Sequence, residues 1–221
     1  MHQDIQFSGA GVEGDATTVY LVDDEADVLK AVSRVLRAAD LRVATFDSSE
    51  TFLESCTART HGCVVMDLYM PGLDGLDLQR ALAGKGCTLP ILFLSGHGDV
   101  PQSVRAMKQG ALDFLIKPVE AEVLIAAVRN AVERDQALRA EQESLDELRA
   151  RLDTLTPRER EVFEHVISGQ LNKQIAADLG TVEKTVKVHR GRVMEKLRAR
   201  SLADLVRMAA RLGVAPAARG R

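Results

Sequence analysis

Cys63-Val64-Val65-Met66-Asp67 is the stretch on which the fold turns. Four apolar residues, too few for a helix, run straight into one carboxylate. Such a run reads as a parallel strand buried on both faces. Three more runs have the same form. Val19-Tyr20-Leu21-Val22 leads into Asp23-Asp24, Ile91-Leu92-Phe93-Leu94 into Ser95, and Phe114-Leu115-Ile116 into Lys117. In an open α/β sheet, sites lie just beyond the carboxyl ends of the strands. Asp23, Asp24, Asp67, Ser95 and Lys117 are therefore expected to converge on one sheet edge. Three carboxylates there repel one another unless a divalent cation sits among them. A lysine and a hydroxyl beside that cation make room for an added anionic group. Asp67, ending the central strand, holds the place of a nucleophile. Attack of its carboxylate on a phosphoryl group gives an acyl phosphate, a transfer that needs positioning and charge neutralisation above all.

Working outward, strands are predicted at 19–22, 42–46, 63–67, 90–95 and 114–116. Helical patterns lie between them at 26–39, 49–58, 74–83 and 100–109, and a last one begins at Glu120. Five βα units in succession predict a doubly wound, five-stranded parallel sheet. The last helix has no Gly or Pro from Glu120 to Leu155. Leu124, Ala131, Leu138, Leu145 and Leu152 recur every seven residues, joined late by Leu148 and Leu155, while Arg134 and Glu141 break the second seam. Two readings stay open: a charged connector alone in solvent, or a helical dimerisation linker.

Thr156-Pro157-Arg158-Glu159 announces a new helix by N-cap, first-turn proline and capping box. Further helices are predicted at about 172–179, 183–197 and from Ser201 to near Gly213. Four short helices with tight turns make an all-α bundle, and the second-turn-third pair is a helix-turn-helix. Its third helix carries Lys184 and Lys187 on one face, with Val186, Val193 and Leu197 on another.

Charge separates the two halves. Residues 1–150 carry 14 Lys and Arg against 24 Asp and Glu, and residues 151–221 carry 15 against 8. The net charge of -3 thus divides into -10 and +7, and a basic C-terminal half points to nucleic acid. Aromatic residues make up 4% of the chain and Trp is absent, so the cores are aliphatic. No apolar stretch approaches the roughly 20 residues of a membrane span, and no secretion signal opens the chain. Cys56, Cys63 and Cys87 lack metal-ligand spacing; buried thiols in a reducing cytoplasm are the simplest reading.

Val22-Asp23-Asp24-Glu25, Asp67-Leu68-Tyr69-Met70-Pro71-Gly72-Leu73-Asp74-Gly75, Ser95-Gly96-His97-Gly98-Asp99-Val100 and Gly110-Ala111-Leu112-Asp113-Phe114-Leu115-Ile116-Lys117-Pro118 closely resemble the receiver domain of response regulators. The resemblance implies a flavodoxin-like receiver with Asp67 as phosphoacceptor, and Lys117 and Ser95 contacting the phosphoryl group. It implies Mg²⁺ or Mn²⁺ held by Asp24, Asp67 and the Tyr69 carbonyl, with Asp23 acting mainly through water. It also implies a cis Lys117–Pro118 bond and a switch pairing Ser95 with Phe114. Phe in place of the frequent Tyr leaves packing alone to report the state.

Leu155-Thr156-Pro157-Arg158-Glu159-Arg160-Glu161-Val162, Asn172-Lys173-Gln174-Ile175-Ala176 and Thr185-Val186-Lys187-Val188-His189-Arg190 resemble the LuxR-type effector domain. That implies DNA contacts from Lys173, Lys184, Thr185, Lys187, Val188 and Arg192, and dimer contacts from Leu205 and Met208. Two positions depart from the family: Val182 stands where a small capping residue is common, and Gly191 where a longer side chain is. Together the halves resemble the FixJ subfamily of the FixJ/NarL response regulators. The expected organisation is a disordered tail at 1–17, a receiver at 18–132, a helical linker at 133–151, the helix-turn-helix domain at 152–213 and a tail at 214–221. The implied partners are a sensor histidine kinase, promoter DNA, RNA polymerase and a second copy of the chain. The implied action is cytoplasmic and activating, with no enzyme activity beyond turnover of the aspartyl phosphate. A phosphate sink with a protein-binding bundle, or a DNA binder indifferent to phosphorylation, are the alternatives. The five intact pocket residues and the +7 half argue against them.

Overall fold

The computed structural model describes residues 17–96 and 100–217. The expectations placed on residues 1–16, His97 and 218–221 lie outside them. The chain divides into two compact units after Leu138.

In the first unit, β1 (Thr18–Val22), β2 (Arg42–Phe46), β3 (Gly62–Met66), β4 (Ile91–Ser95) and β5 (Asp113–Ile116) form one sheet in the order β2-β1-β3-β4-β5. Every pairing is parallel. Between the strands run α1 (Ala26–Ala38), α2 (Ser49–Ser55), α3 (Gly75–Gly84) and α4 (Val100–Lys108), and α5 (Ala121–Asp153) follows β5. The central strands β3 and β4 are buried at every position, which is why they read as unbroken apolar runs. The edge strand β2 has no fully buried position. Strand side chains alternate between faces, and each face has its own core. Val64, Met66 and Phe93 pack with Phe52 of α2, Leu78 and Leu82 of α3 and Ala106 of α4. Cys63, Val65 and Leu92 pack with Leu29 and Leu36 of α1 and Leu124, Val128 and Ala131 of α5. The three cysteines are free and buried, two on the first face and one on the second. Helix α2 stops at Ser55, earlier than the sequence pattern suggested. Cys56 is already extended, and the Thr60 hydroxyl takes the Thr57 N–H at 2.8 Å in a local turn. Lower on α5, the buried Asp135 carboxylate accepts the Gly62 N–H at 3.0 Å, tying that helix to the start of β3.

The second unit begins at Arg139, within α5. It holds α6 (Pro157–Ile167), α7 (Asn172–Asp178), α8 (Glu183–Lys196) and α9 (Leu202–Leu212). Their core joins Val162, Phe163 and Val166 of α6 to Ile175 of α7, Val186 and Val193 of α8 and Leu205 and Ala209 of α9. Leu152 and Leu155 belong to the same core, and Leu148 is also buried. The late leucines of the heptad pattern are therefore satisfied inside this unit. Arg211 of α9 donates to Glu141 at 2.8 Å and to Ser144 at 3.1 Å on α5, so Glu141, a break in the seam, is the acceptor of a cross-helix bond. The capping box at Thr156 forms, and Ser201 caps α9 through the Asp204 N–H at 3.1 Å. Val182 is the N-cap of α8 with no side-chain cap bond.

Leu205, expected at a dimer surface, is fully buried in this core, and Met208 is half-buried against it. Residues 205, 208, 209 and 212 share the inner face of α9 at helical spacing, whereas Leu202 and Val206, one turn apart, are exposed at its edge.

Glu159, 2% exposed, is the charged group buried in this unit. Its carboxylate accepts the Lys196 ammonium at 2.6 Å and the Thr156 N–H at 2.9 Å. Those hydrogen bonds hold its carboxyl down at about 2, from an ordinary 4.5. A carboxyl depressed on folding stabilises the fold above its unfolded value and loses that contribution as pH falls toward the folded value. Glu159→Gln is expected to cost roughly 1–3 kcal/mol near neutral pH, the range for a hydrogen bond to a charged group. In urea titrations followed by circular dichroism, the difference between wild type and variant should shrink as pH drops from 4.5 toward 2.

Candidate phosphoacceptor site and nucleic-acid face

Register delivers the first site. Val22 pairs with Met66 across β1 and β3, so the residues that follow, Asp23 and Asp67, leave the sheet side by side. Backbone bonds fix both exits: the Asp23 N–H donates to Phe46 O at 3.1 Å and the Asp67 N–H to Val22 O at 3.0 Å. Ser95 pairs with Ile116 across β4 and β5, and the Lys117 N–H donates to Ser95 O at 2.7 Å. The Lys117–Pro118 bond is cis.

The lysine ammonium reaches back across the edge. Its Nζ lies 2.7 Å from Asp23 Oδ2, 3.3 Å from Asp67 Oδ2 and 4.0 Å from Glu25 Oε1. Asp23 and Asp67 are buried, as is Ser95. Burial lifts the Asp67 carboxyl above its usual range, and the Lys117 charge and the Leu68 N–H at 2.6 Å pull the other way. Burial also works against the Lys117 charge, but the Asp23 hydrogen bond and the Asp67 charge together leave it above its ordinary value. The ammonium therefore stays protonated.

Among the described residues, carboxylate oxygens of Asp23, Glu25 and Asp67 lie within 4.8 Å of one another. Three hard oxygen donors this close suit a divalent cation of the magnesium or calcium kind. Glu25 is the residue that sequence reasoning missed. The acidic run hid it as a helix-start residue, and it is indeed the N-cap of α1, its N–H donating to Asp23 Oδ1 at 2.9 Å. Asp24 is exposed and falls outside that group, and the Tyr69 side chain is also exposed.

Phe114 of the expected switch pair is half-buried, its ring 5.9 Å from that of Phe93. Phe93 also lies beside Gly75, at the end of the loop that follows Asp67. A Cβ placed on Gly75 would meet Asp67 O at 2.5 Å and the Phe93 ring at 2.9 Å. The Gly75 N–H donates to Leu68 O at 2.9 Å. The entry to α3 thus packs directly on the backbone of Asp67.

In the second unit, Lys184, Lys187, Val188, Gly191, Arg192 and Glu195 are exposed along one stripe of α8. Thr185 is half-buried at its margin, and Lys173 is exposed on α7. The stripe lies opposite Val186 and Val193, which are fully buried.

Residues 19–129 match the model of the response regulator receiver domain, and residues 153–209 that of bacterial regulatory proteins of the luxR family. The chain belongs to the response-regulator family. Nodulation protein W of Bradyrhizobium diazoefficiens is 44% identical over 209 residues, covering 93% of this chain and 92% of its own. The transcriptional regulatory protein FixJ of the same organism is 39% identical, covering 89% and 96%. The solved structure of response regulator StyR superposes with a TM-score of 0.81 at 43% identity, covering 89% of this chain and 99% of its own. The regulator is thus a two-component transcriptional regulator that joins a receiver to a LuxR-type DNA-binding domain. Among its described residues, no helix is long and apolar enough to cross a membrane.

Gly75→Ala tests how tightly the loop is built. Overpacking at such a contact costs about 1–3 kcal/mol. The variant is expected to lower the melting temperature of the receiver and to slow phosphorylation by a small-molecule donor, read by gel retardation of the phosphoprotein. A variant as stable and as fast as wild type would mean that α3 does not brace Asp67.

Proposed function

We propose that Asp67 accepts a phosphoryl group from a sensor histidine kinase and that the phosphorylated regulator dimerises on promoter DNA. A carboxylate oxygen of Asp67 attacks phosphorus as the nitrogen–phosphorus bond of the donor histidine breaks, leaving an acyl phosphate on Asp67 and a histidine on the kinase. The observation that carries this reading is the Lys117 ammonium within hydrogen-bond reach of both Asp23 and Asp67. That cation can follow the negative charge from the carboxylate onto the phosphoryl oxygens without crossing solvent. The Ser95 hydroxyl donates to another phosphoryl oxygen. Asp23, Glu25 and Asp67, with Asp24 and the Tyr69 carbonyl as the ligands the family implies, would hold Mg²⁺ or Mn²⁺, which when bound would supply neutralisation of phosphoryl charge. The chemistry ends at forming and hydrolysing the acyl phosphate.

Ser95 turning to the phosphoryl group frees space that Phe114 takes up, and the repacked surface favours a dimer. On the effector side the dimer contact belongs to the exposed pair Leu202 and Val206 of α9 rather than to Leu205. Lys184, Thr185, Lys187, Val188 and Arg192 of α8 and Lys173 of α7 face a two-fold related DNA site. The DNA-bound dimer engages RNA polymerase and activates transcription in the cytoplasm.

Light scattering and promoter binding, each with Mg²⁺ and with or without beryllofluoride, test the coupling. A dimer and tighter binding on addition are expected, and no change in either would sink the phospho-switch. Asp67→Asn should abolish phosphorylation by kinase, read as radiolabel on the regulator; label surviving in that variant removes Asp67 from the role. Lys187→Ala should weaken DNA binding across all sequences and reduce the salt dependence by the equivalent of about one phosphate contact.

A further inference from the structure

The exposed stripe of α8 has an ordered composition. At helical spacing, Lys184, Val188, Gly191 and Glu195 run down its centre, and Lys187 and Arg192 stand on its two flanks. The flanking cations suit the two phosphate backbones that border a major groove. Glu195 closes the line with a negative charge, which confines close docking to the part of the helix before it. What remains at the middle of the line is a Val side chain that is 49% exposed and a residue with no side chain.

Gly191 serves no packing need within its own unit. A Cβ built there would meet nothing within 4 Å, and its backbone is ordinary helix. Glycine in an exposed helix interior costs stability relative to alanine, and Gly191 relieves no clash and takes no left-handed conformation in return. The room it leaves is room on the outside of the helix, at the centre of the DNA-facing stripe. Neither Val188 nor Gly191 offers a side-chain hydrogen bond, so base edges at this point are distinguished by shape and apolar contact. In the major groove the apolar feature is the thymine 5-methyl group.

We propose that the centre of α8 reads a thymine methyl: Val188 makes the apolar contact, and Gly191 leaves the space that lets that base approach the helix backbone. The inference rests on the DNA-binding reading above and names what one part of that interface selects.

The test uses the full-length regulator with Mg²⁺ and beryllofluoride. Duplexes are selected from random-sequence DNA, and each thymine of the selected site is replaced singly by deoxyuridine, which lacks only the methyl. At one position per half-site, the replacement should weaken binding by about fourfold, the equivalent of one buried methylene. In Val188→Ala the same replacement should cost less than twofold. Gly191→Ala should melt at a higher temperature yet bind the selected duplex more weakly.

Uniform tolerance of deoxyuridine with specific binding intact would overturn the methyl reading and leave DNA binding standing. Deoxyuridine sensitivity unchanged in Val188→Ala would remove Val188 from the contact. Binding by Gly191→Ala as tight as wild type would remove the need for space there. Failure to enrich any duplex, with affinity indifferent to salt, would overturn this inference together with the DNA-binding reading beneath it.

Discussion

The ammonium of Lys117 between Asp23 and Asp67 is the interaction on which the receiver depends. Two buried carboxylates at the end of a dry sheet are costly unless a cation stands with them. Lys117 supplies that cation from the end of β5, two strands along the sheet from β3. The price of burial becomes a usable arrangement, because the cation that steadies the resting carboxylates stands beside the oxygen that the proposed phosphorylation would use. The sheet must hold these exits in register. Its two-faced core, with the central strands buried throughout, leaves no freedom for them to slide.

The second unit depends on a smaller copy of the same logic. Glu159 is buried with Lys196 beside it and the Thr156 N–H on the same oxygen, so one charge joins the start of α6 to the end of α8. Helix α8 needs that support. Its N-cap side chain makes no cap bond and its exposed centre contains a glycine, so local propensity favours it little. Tertiary packing of Val186, Val193 and Leu197 holds it instead. A helix held from its inner face alone keeps its outer face free for chemistry that packing does not dictate.

Much of this was legible in the sequence. Apolar runs ending in Asp23, Asp67, Ser95 and Lys117 gave the sheet and the edge on which they meet, because buried parallel strands leave an unambiguous pattern. The caps at Thr156 and Ser201 marked two helix starts to the residue. Other features were not legible, for physical reasons. A seven-residue leucine repeat is the same whether its partner is a second chain or the helices that follow, and here Leu152 and Leu155 close on α6 to α9. Leu205 and Val206 are neighbours of equal hydrophobicity, and only the rotation of α9 about its axis decides which of them faces water. Glu25 joins the carboxylate group through the way α1 leaves β1, a geometry that no spacing rule encodes.

The absence of a hydroxyl on Phe114 shapes how the proposed switch can report its state. Phe114 has no polar tether, so its position is set by the rings and side chains around it, chiefly Phe93. Phe93 in turn sits beside Gly75, whose Cα also lies close to Asp67 O. Gly75 and Phe93 thus lie in sequence between Asp67 and Phe114. On the same face, the buried Gln79 of α3 donates to Ala106 O of α4 at 3.3 Å, while its own carbonyl oxygen has no partner. Moving α4 would break that bond in a place water does not reach, and a buried polar group left unpaired costs more than the bond is worth in water. Displacing α4 away from Gln79 is therefore penalised. The Gln79 bond thus adds a polar tie between α3 and α4 to the packing around Phe114 on this face.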